Sequence, residues 1–327
     1  MRYDSQFKIK IFGGDFTFEI DELKPNQKIF EIGRVRIGGN PGELPTVLIG
    51  SIFYKGHKIV KDQVKGVFDK GQAEKLIVKQ DELSEETGNP CMVDVEAFSE
   101  KAIEKSMDFV SEVTDAPILV NSIYVPVRLH GVKYAKEVGL INRIVYVSIN
   151  YKVDEKEIEF LSNIGLKSAI IQAFNPRNPW PEGILQILSG KNGLLNISSK
   201  IGVEKPLILT NVLDVPSIGL AANGIKVIKE ETGFPTGTAP VGVVGSWYRN
   251  VAIKIFGSDA KGCCESVAMA MCQFAGANFI HYGSLSKAGR IFPAAAMIDA
   301  IIAYKARLHG IKPKTKNHPL YKISFHT

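Results

Sequence analysis

Four asparagines, Asn121, Asn150, Asn175 and Asn211, each close a short apolar run, and Asp94 and Glu96 close a fifth. An asparagine amide donates and accepts hydrogen bonds at once, so several of them facing one cavity suit a heteroaromatic ring rich in both functions. Any one of them alone is better explained as closing a turn or capping the next helix. All four together, on four strands, favour a polar ligand. Ser51, Ser122, Ser148, Asp214, Gly242, Ser246, His281 and Tyr282 fall at comparable positions. Such a rim is rich in amides and hydroxyls and poor in charge. The Asp94–Glu96 pair comes nearest to a carboxylate metal site, but one of the two is expected to point away, and no metal is expected. No GxSxG elbow supports a serine nucleophile. Cys91, Cys263, Cys264 and Cys272 form no CxxC pair and read as free thiols in a reducing compartment.

These groups need a scaffold that gathers strand ends. Short apolar runs alternate with amphipathic helices almost throughout: "PTVLIGS", "CMVDVEAF", "PILVNSIYV", "RIVYVSIN", "KSAIIQAFN", "KPLILTNVLD", "TGTAPVGVVGSW" and "ANFIHYGSL". The runs lack polar alternation, as parallel strands covered on both faces should. Eight such units predict an α/β fold, a (β/α)8 TIM barrel, whose chemistry sits at the carboxyl ends of the strands. Ser99 and Asp154 are placed to cap helices, and Ala102, Ile103, Met107 and Val110 form one helix face. Residues 1–33 alternate with period two and read as an N-terminal β-hairpin flanking the barrel. Residues 34–310 read as the barrel, and 311–327 as a C-terminal arm, all within one domain. "GGNPG" precedes its strand, whereas a dinucleotide loop follows one, so it reads as a turn requiring positive φ.

The bulk numbers narrow the function. Net charge is +6 over 327 residues, and the basic residues are not gathered into blocks, so nucleic-acid binding is not indicated. The segment "MRYDSQFKIK" lacks the apolar core of a secretory signal, and no apolar run reaches about 18 residues, so a cytoplasmic protein is expected.

The stretch "IGGNPGELPTVLIGSIFYKGHKIVKDQVKGVFDK" resembles the MtrH family of tetrahydromethanopterin S-methyltransferase and its soluble relatives in one-carbon metabolism. "EETGNP", "AFNPRNP", "HYGSLSKAGRIFPAAAMIDA" and "HPLYKI" extend the resemblance along the whole chain. The resemblance implies a dihydropteroate synthase-like, pterin-binding barrel that works as a homodimer. It also implies methyl transfer between N5 of tetrahydromethanopterin (or tetrahydrofolate) and the cobalt of a corrinoid carried by a partner protein. On that reading Asn121, Asn211 and Asp214 are catalytic, while Asp94, Glu96, Ser122, Ser148, Asn150, Asn175, Gly242 and Ser246 contact the pterin. The chain departs from the family where an aspartate is usual on the third strand (Asn121-Ser122-Ile123) and on the sixth (Asn211, with Asp214 three residues on). The fourth strand carries Tyr146-Val147-Ser148, and the seventh Gly242 where asparagine is frequent. Three functions follow as expectations. The chain loads the pterin from a methylated corrinoid protein in O-demethylation or methylotrophic catabolism, or it is the MtrH component of the membrane-bound enzyme working in demethylation, or it is a silent binder. Phe53, Tyr54, Lys55 and His57 either line the barrel mouth or pack against the next helix, with the two readings evenly balanced.

Overall fold

The computed structural model of the chain describes residues 9–11, 14–16 and 27–324. Eight parallel strands close into a barrel in chain order: β1 (Val47–Ile52), β2 (Cys91–Glu96), β3 (Ile118–Asn121), β4 (Ile144–Ile149), β5 (Ser168–Ala173), β6 (Lys205–Thr210), β7 (Thr236–Thr238) and β8 (Phe279–Ser284). Around it stand α1 (Lys70–Thr87), α2 (Glu100–Val113), α3 (Val125–Glu137), α4 (Glu155–Ile164), α5 (Pro181–Leu188), α6 (Leu194–Ile201) and α7 (Ile218–Thr232). The chain continues through α8 (Pro240–Trp247), the short α9 (Ile253–Phe256), α10 (Ala260–Phe274), α11 (Ala288–Ala306) and α12 (Pro319–Ser324).

The predicted local signals place the helices. The Ser99 and Asp154 side chains accept from the Ala102 and Glu157 amides, capping α2 and α4. Helix α1 ends at Gly88, which takes the left-handed conformation. The α2 face of Ala102, Ile103, Met107 and Val110 is buried against the strands. The seventh strand is shorter than its apolar run: after Thr238 the chain turns, and Pro240 opens α8. Proline fits the first helical turn, where no backbone donor is needed, so "VGVVGSW" is helix and not strand. Gly242 and Ser246 therefore lie on α8 and not at a strand end.

Two apolar layers hold the barrel. Outside the strands, the large core cluster fills the space beneath the helices. Inside, Val47, Ile49, Met92, Leu119, Val145, Ile170, Leu207 and Phe279 converge with Ile32, Val35 and Ile37. Those last three come from an antiparallel hairpin, Ile29–Ile32 with Val35–Gly38, that stoppers the barrel's lower end. Most of the hairpin expected over residues 1–33 lies outside the described residues; within them, Ile9–Ile11 pairs with Gly14–Phe16. In the "GGNPG" turn, Gly38, Gly39 and Gly42 all have positive φ, and a Cβ on Gly38 would lie 2.1 Å from the Lys28 carbonyl oxygen. After Gly310 the chain crosses the lower end, where the Lys314 amide donates to the Glu43 carbonyl, and Leu320 of α12 packs on Ala300 and Ala303 of α11.

A buried polar knot secures the lower end. The Asp299 carboxylate accepts from the Thr46 amide (2.8 Å), the Thr46 hydroxyl (2.7 Å), the Asn89 amide (2.6 Å) and the Gln273 amide (2.9 Å). It thus joins α11 to α10, to the start of β1 and to the turn before β2. Asp299→Ala strands these donors without water, and each such loss costs about 1–3 kcal/mol. Urea denaturation should show a fall of roughly 3 kcal/mol or more in unfolding free energy. A fall below about 1 kcal/mol would mean that the knot is relaxed and wet.

Candidate active site

Side chains along a strand alternate between faces, so residues two beyond an inward apolar position also point inward. Two residues up from Ile49, Met92, Leu119, Ile170 and Phe279 stand Ser51, Asp94, Asn121, Gln172 and His281. The interior changes from hydrocarbon to polar within one step, at the carboxyl ends of the strands. Asn211 stands four residues above Leu207 on the same face, and Glu96 two above Asp94.

Asp94 is the hub. Its Oδ2 accepts from the Ser51 hydroxyl at 2.9 Å and the Asn121 amide at 3.3 Å, and lies 2.9 Å from His281 Nε2. Nε2 is also 3.2 Å from the Ser51 hydroxyl. The other oxygen, Asp94 Oδ1, is buried and has no donor among the described residues, and the same holds for Asn211 Oδ1. A buried acceptor without a donor is costly, which suits it to a ligand that brings N–H groups. Among the described residues no donor reaches the Glu96 carboxyl either. On strand β4 the register slips between Val147 and Ile149 beside the cis Val147–Ser148 peptide bond, and the Ser148 hydroxyl sits 3.5 Å from Gln172 Oε1.

The cluster is electrostatically coupled. Burial, and then the charge of Asp94, push the Glu96 carboxyl up to about 7, with His281 pulling the other way. Burial alone would lower His281, but the Asp94 hydrogen bond and the charges of Asp94 and Glu96 outweigh it, and the imidazole is held above its ordinary value. The Glu96 carboxyl, raised to about 7, and the raised His281 imidazole are therefore placed for general acid–base work. Asp94 and Glu96 act on one face. The expectation that one would point away is corrected by the strand period, which makes positions i and i+2 neighbours.

A second buried group positions the β3 end. Arg128 of α3 donates from Nε to the Tyr146 hydroxyl (3.0 Å) and from Nη1 to the Ser122 carbonyl (2.8 Å), and Tyr146 donates to Glu157 of α4 (2.6 Å). Arg128, Tyr146 and Glu157 are all buried. They fix the chain at Ser122, directly after Asn121 ends β3.

The other expected residues have local partners. Ser122 donates to the Ala97 carbonyl and accepts from the Tyr124 amide, so it faces the loop and not the cluster. Asn150 accepts from the Lys152 amide, with its Nδ2 3.3 Å from the Ser148 carbonyl. Asn175 accepts from the Arg177 amide and donates to the Gly183 carbonyl, closing the β5–α5 turn. Asp214 is exposed and accepts from the Ser217 amide, just ahead of α7. Gly242 is exposed in the first turn of α8, with open space around its Cα, and Ser246 pairs with Arg249 on the same surface. Phe53 is buried on Phe68 with ring centroids 4.2 Å apart, and His57 is buried, stacked on Tyr54 and accepting from the Phe53 amide. Packing is their role. Phe53 has φ +64°, a conformation non-glycine residues rarely hold, and it turns the chain sharply out of β1.

Sequence reasoning assigned no role to His281 or Ser51 and passed over Gln172. The signal was present: counting by twos from Phe279, Ile49 and Ile170 puts all three in the polar ring. Among the described residues no group of three histidine, cysteine or carboxylate side chains is arranged to hold a metal ion.

A closed parallel barrel with a proton-sharing cluster at its carboxyl end is an enzyme architecture of the TIM-barrel class. Dihydropteroate synthase from Coxiella burnetii, solved with pteroic acid, superposes with a TM-score of 0.57 at 12% identity over 83% of this chain and 99% of that one. The Yersinia pestis enzyme, solved with a pterine-sulfa conjugate, gives 0.57 at 10% identity over 84% and 98%. At that identity the likeness is one of fold.

Sequence similarity supplies the family. Residues 25–314 match the tetrahydromethanopterin S-methyltransferase MtrH subunit family. The chain is 39% identical over 313 residues to the H-type subunit of tetrahydromethanopterin S-methyltransferase from Methanopyrus kandleri, covering 90% of this chain and 96% of that one. It is 35% identical over 305 residues to the H-type subunit of the putative methyltransferase mtx from Methanosarcina barkeri, covering 91% and 98%. The chain belongs to the MtrH family and is a methyltransferase.

Proposed function

We propose that this methyltransferase moves a methyl group between N5 of tetrahydromethanopterin, or tetrahydrofolate, and the cobalt of a corrinoid held by a partner protein. The direction we favour is loading of the pterin from a methylated corrinoid protein in O-demethylation or methylotrophic catabolism. The observation that carries the reading is the pair of buried acceptors without donors, Asp94 Oδ1 and Asn211 Oδ1, beside the Asp94–His281–Glu96 cluster. A reduced pterin offers ring N–H and exocyclic amine donors that match them, and a carboxylate acceptor strengthens the bond. Cobalt supplies the methyl and keeps the electron pair of the bond that breaks. As N5 forms its bond to carbon it loses a proton, which the Glu96–His281 pair takes and Glu96, only partly buried, passes to solvent. In the opposite direction the same groups protonate N5 as its methyl leaves.

A partner is also supported by the rim. Ile123 and Tyr124 after β3, Tyr151 after β4, Trp180 after β5 and Leu213 after β6 are all exposed at the end of the barrel that carries the cluster. Large apolar side chains along one side of a polar mouth fit a protein that closes over that side. We further read the working form as a cytoplasmic pair of identical chains; among the described residues no helix is long and apolar enough to cross a membrane. An MtrH component of a membrane-bound complex, working in demethylation, is the second reading; the Methanopyrus relative's name, which makes it one subunit of a methyltransferase, supports its multi-subunit part.

The test mixes the protein with a methylated corrinoid protein and tetrahydromethanopterin and follows the absorbance of the reduced corrinoid. Its appearance at a rate proportional to enzyme supports the reading, and no change with either reduced pterin leaves only a silent binder. The pH dependence has a defined sign. Loading needs the Glu96–His281 pair ready to accept a proton, so its rate rises as pH passes through about 7, and the reverse reaction falls there. Glu96→Gln should erase that limb in both directions. A limb that persists would assign it elsewhere.

A further inference from the structure

The side of the mouth built by β7 and β8 is basic, and its charges take no part in the Asp94 cluster. Between Pro240 and Arg290 the chain has five lysines and arginines, Arg249, Lys254, Lys261, Lys287 and Arg290, against two acids, Asp259 and Glu265. Four of the five gather around one buried carboxylate. Glu265 of α10 is fully buried; its Oε2 accepts from Arg290 Nε at 2.7 Å, and its Oε1 stands 3.2 Å from Lys287 Nζ. A carboxylate out of water needs such partners, and in return it pins both cations in place. Lys287 ends a short 3-10 turn, Leu285–Lys287, between β8 and α11. Its Nζ lies 3.5 Å from the point where a Cβ on Gly245 of α8 would stand, and 3.8 Å from that point on Gly283, two residues beyond His281. With no side chain on either glycine, the ammonium reaches from the start of α11 to the edge of the mouth. Arg249 Nη1 is 3.7 Å from the same point on Gly245. Arg249 is exposed and bonds the Ser246 hydroxyl at 3.3 Å; among the described residues neither it nor Lys261 pairs with a carboxylate. Asp259 accepts from the Ser258 hydroxyl ahead of α10. Positive charge is therefore in excess. Burial holds Lys287 below its ordinary value despite Glu265, and Arg290 and Lys261 press the same way, a strain that a further anion would relieve.

We propose that Lys287, Arg290, Arg249 and Lys261 form a subsite for the anionic tail of the reduced pterin, and that the group they take is its phosphodiester. The inference rests on the functional reading above and adds the tail to it. A reduced pterin bears its tail on C6, the ring atom next to N5. With N5 towards the Glu96–His281 pair, the tail leaves the ring on the side of the mouth where β8 ends. In tetrahydromethanopterin a phosphodiester follows an aryl and a sugar-alcohol unit, length enough to cross from the barrel axis to its helical wall. Guanidinium forks match phosphate oxygens two at a time, and an ammonium adds a point charge. The loops after the seventh and eighth strands, together with a short extra helix, are a common place for phosphate in barrels of this kind. Here α8 and the Leu285–Lys287 turn stand there. The tail of tetrahydrofolate ends in carboxylates and has no phosphodiester, so of the two acceptors the subsite favours tetrahydromethanopterin. The apolar side of the mouth, after β3 to β6, stays free for the protein partner. A corrinoid with a nucleotide loop carries a phosphate of the same chemistry, and binding measured without corrinoid separates the two sources.

The experiment is isothermal titration of the full chain, in phosphate-free buffer and without corrinoid, with tetrahydromethanopterin and with 6-methyltetrahydropterin, which has the ring and no tail. The wild type is expected to bind the tailed pterin about tenfold or more tighter, and added salt should weaken that ligand far more than the bare ring. Arg249→Gln with Lys261→Gln removes two cations that hold no buried acid, so the fold is spared. It should weaken tetrahydromethanopterin about tenfold or more and leave the bare ring within about twofold, which also serves as the folding control. Equal wild-type affinity for the two pterins, or a double variant that weakens neither or both alike, overturns the subsite and leaves the ring site standing. A double variant that binds tetrahydromethanopterin normally but needs more methylated corrinoid protein for half-maximal transfer places the phosphate on the corrinoid and overturns the tail. A wild type that binds neither pterin overturns the functional reading and the subsite with it.

Discussion

His281→Gln should lower methyl transfer in both directions by roughly 10²- to 10³-fold, the range that loss of a positioned acid–base group gives. Glutamine can still donate to Asp94 Oδ2, which His281 now faces at 2.9 Å, so the carboxylate keeps a partner and the fold is undisturbed. What disappears is the only imidazole in the polar ring among the described residues, and with it a group that can take up and release a proton. Affinity for the pterin, measured by isothermal titration, should change far less than turnover. That split between binding and rate separates proton handling from simple scaffolding. A variant with unaltered turnover would remove His281 from the reaction; one that loses binding and rate equally would make it a binding residue.

Asp94→Asn should be more severe, with turnover down about 10³-fold and pterin affinity weakened by about 2–3 kcal/mol. The substitution changes no volume, but it puts an amide into a place where the serine hydroxyl, the asparagine amide and the imidazole all aim donors at one oxygen. Whichever way the new side chain turns, either those donors lose their acceptor or the ligand's N–H groups meet another N–H. Removal of the Asp94 charge also takes away the interactions that hold His281 up, so any remaining activity should have its limb moved to lower pH. Glu96 moves the same way, because the neighbouring negative charge that raises it is gone. Stopped-flow absorbance over a pH series reads both effects. Near wild-type affinity would show that the pterin does not use Asp94.

The barrel was legible in the sequence because its evidence is redundant: eight apolar runs, each followed by an amphipathic helix, admit few other arrangements. The seventh run misled, since an uninterrupted apolar stretch is compatible with either strand or buried helix, and Pro240 decided the matter. The site was legible in part. Residue type alone pointed to the asparagines, yet Asn175 closes a turn and Asn150 does so while touching Ser148, work that asparagine does well whether or not a ligand is near. Asn121 and Asn211 stand in the polar ring because of their parity along the strand. Parity also brings in Ser51, Gln172 and His281, which residue type did not select. Contacts between distant strands, such as Asp94 with His281 at a separation of 187 residues, follow from closure of the barrel. No local pattern encodes them.

The crowding of donors onto one oxygen of Asp94 has a consequence for selectivity. Held at Oδ2 by groups from three strands, the carboxylate is a frozen rotor, and Oδ1 keeps its bearing before any visitor arrives. On the proposed reading, a ring that presents hydrogen to that oxygen would dock without waiting for the side chain to turn. An analogue with a bare lone pair at the same place would meet repulsion that no rotation relieves, so the enclosure would sort heterocycles by tautomer as much as by outline.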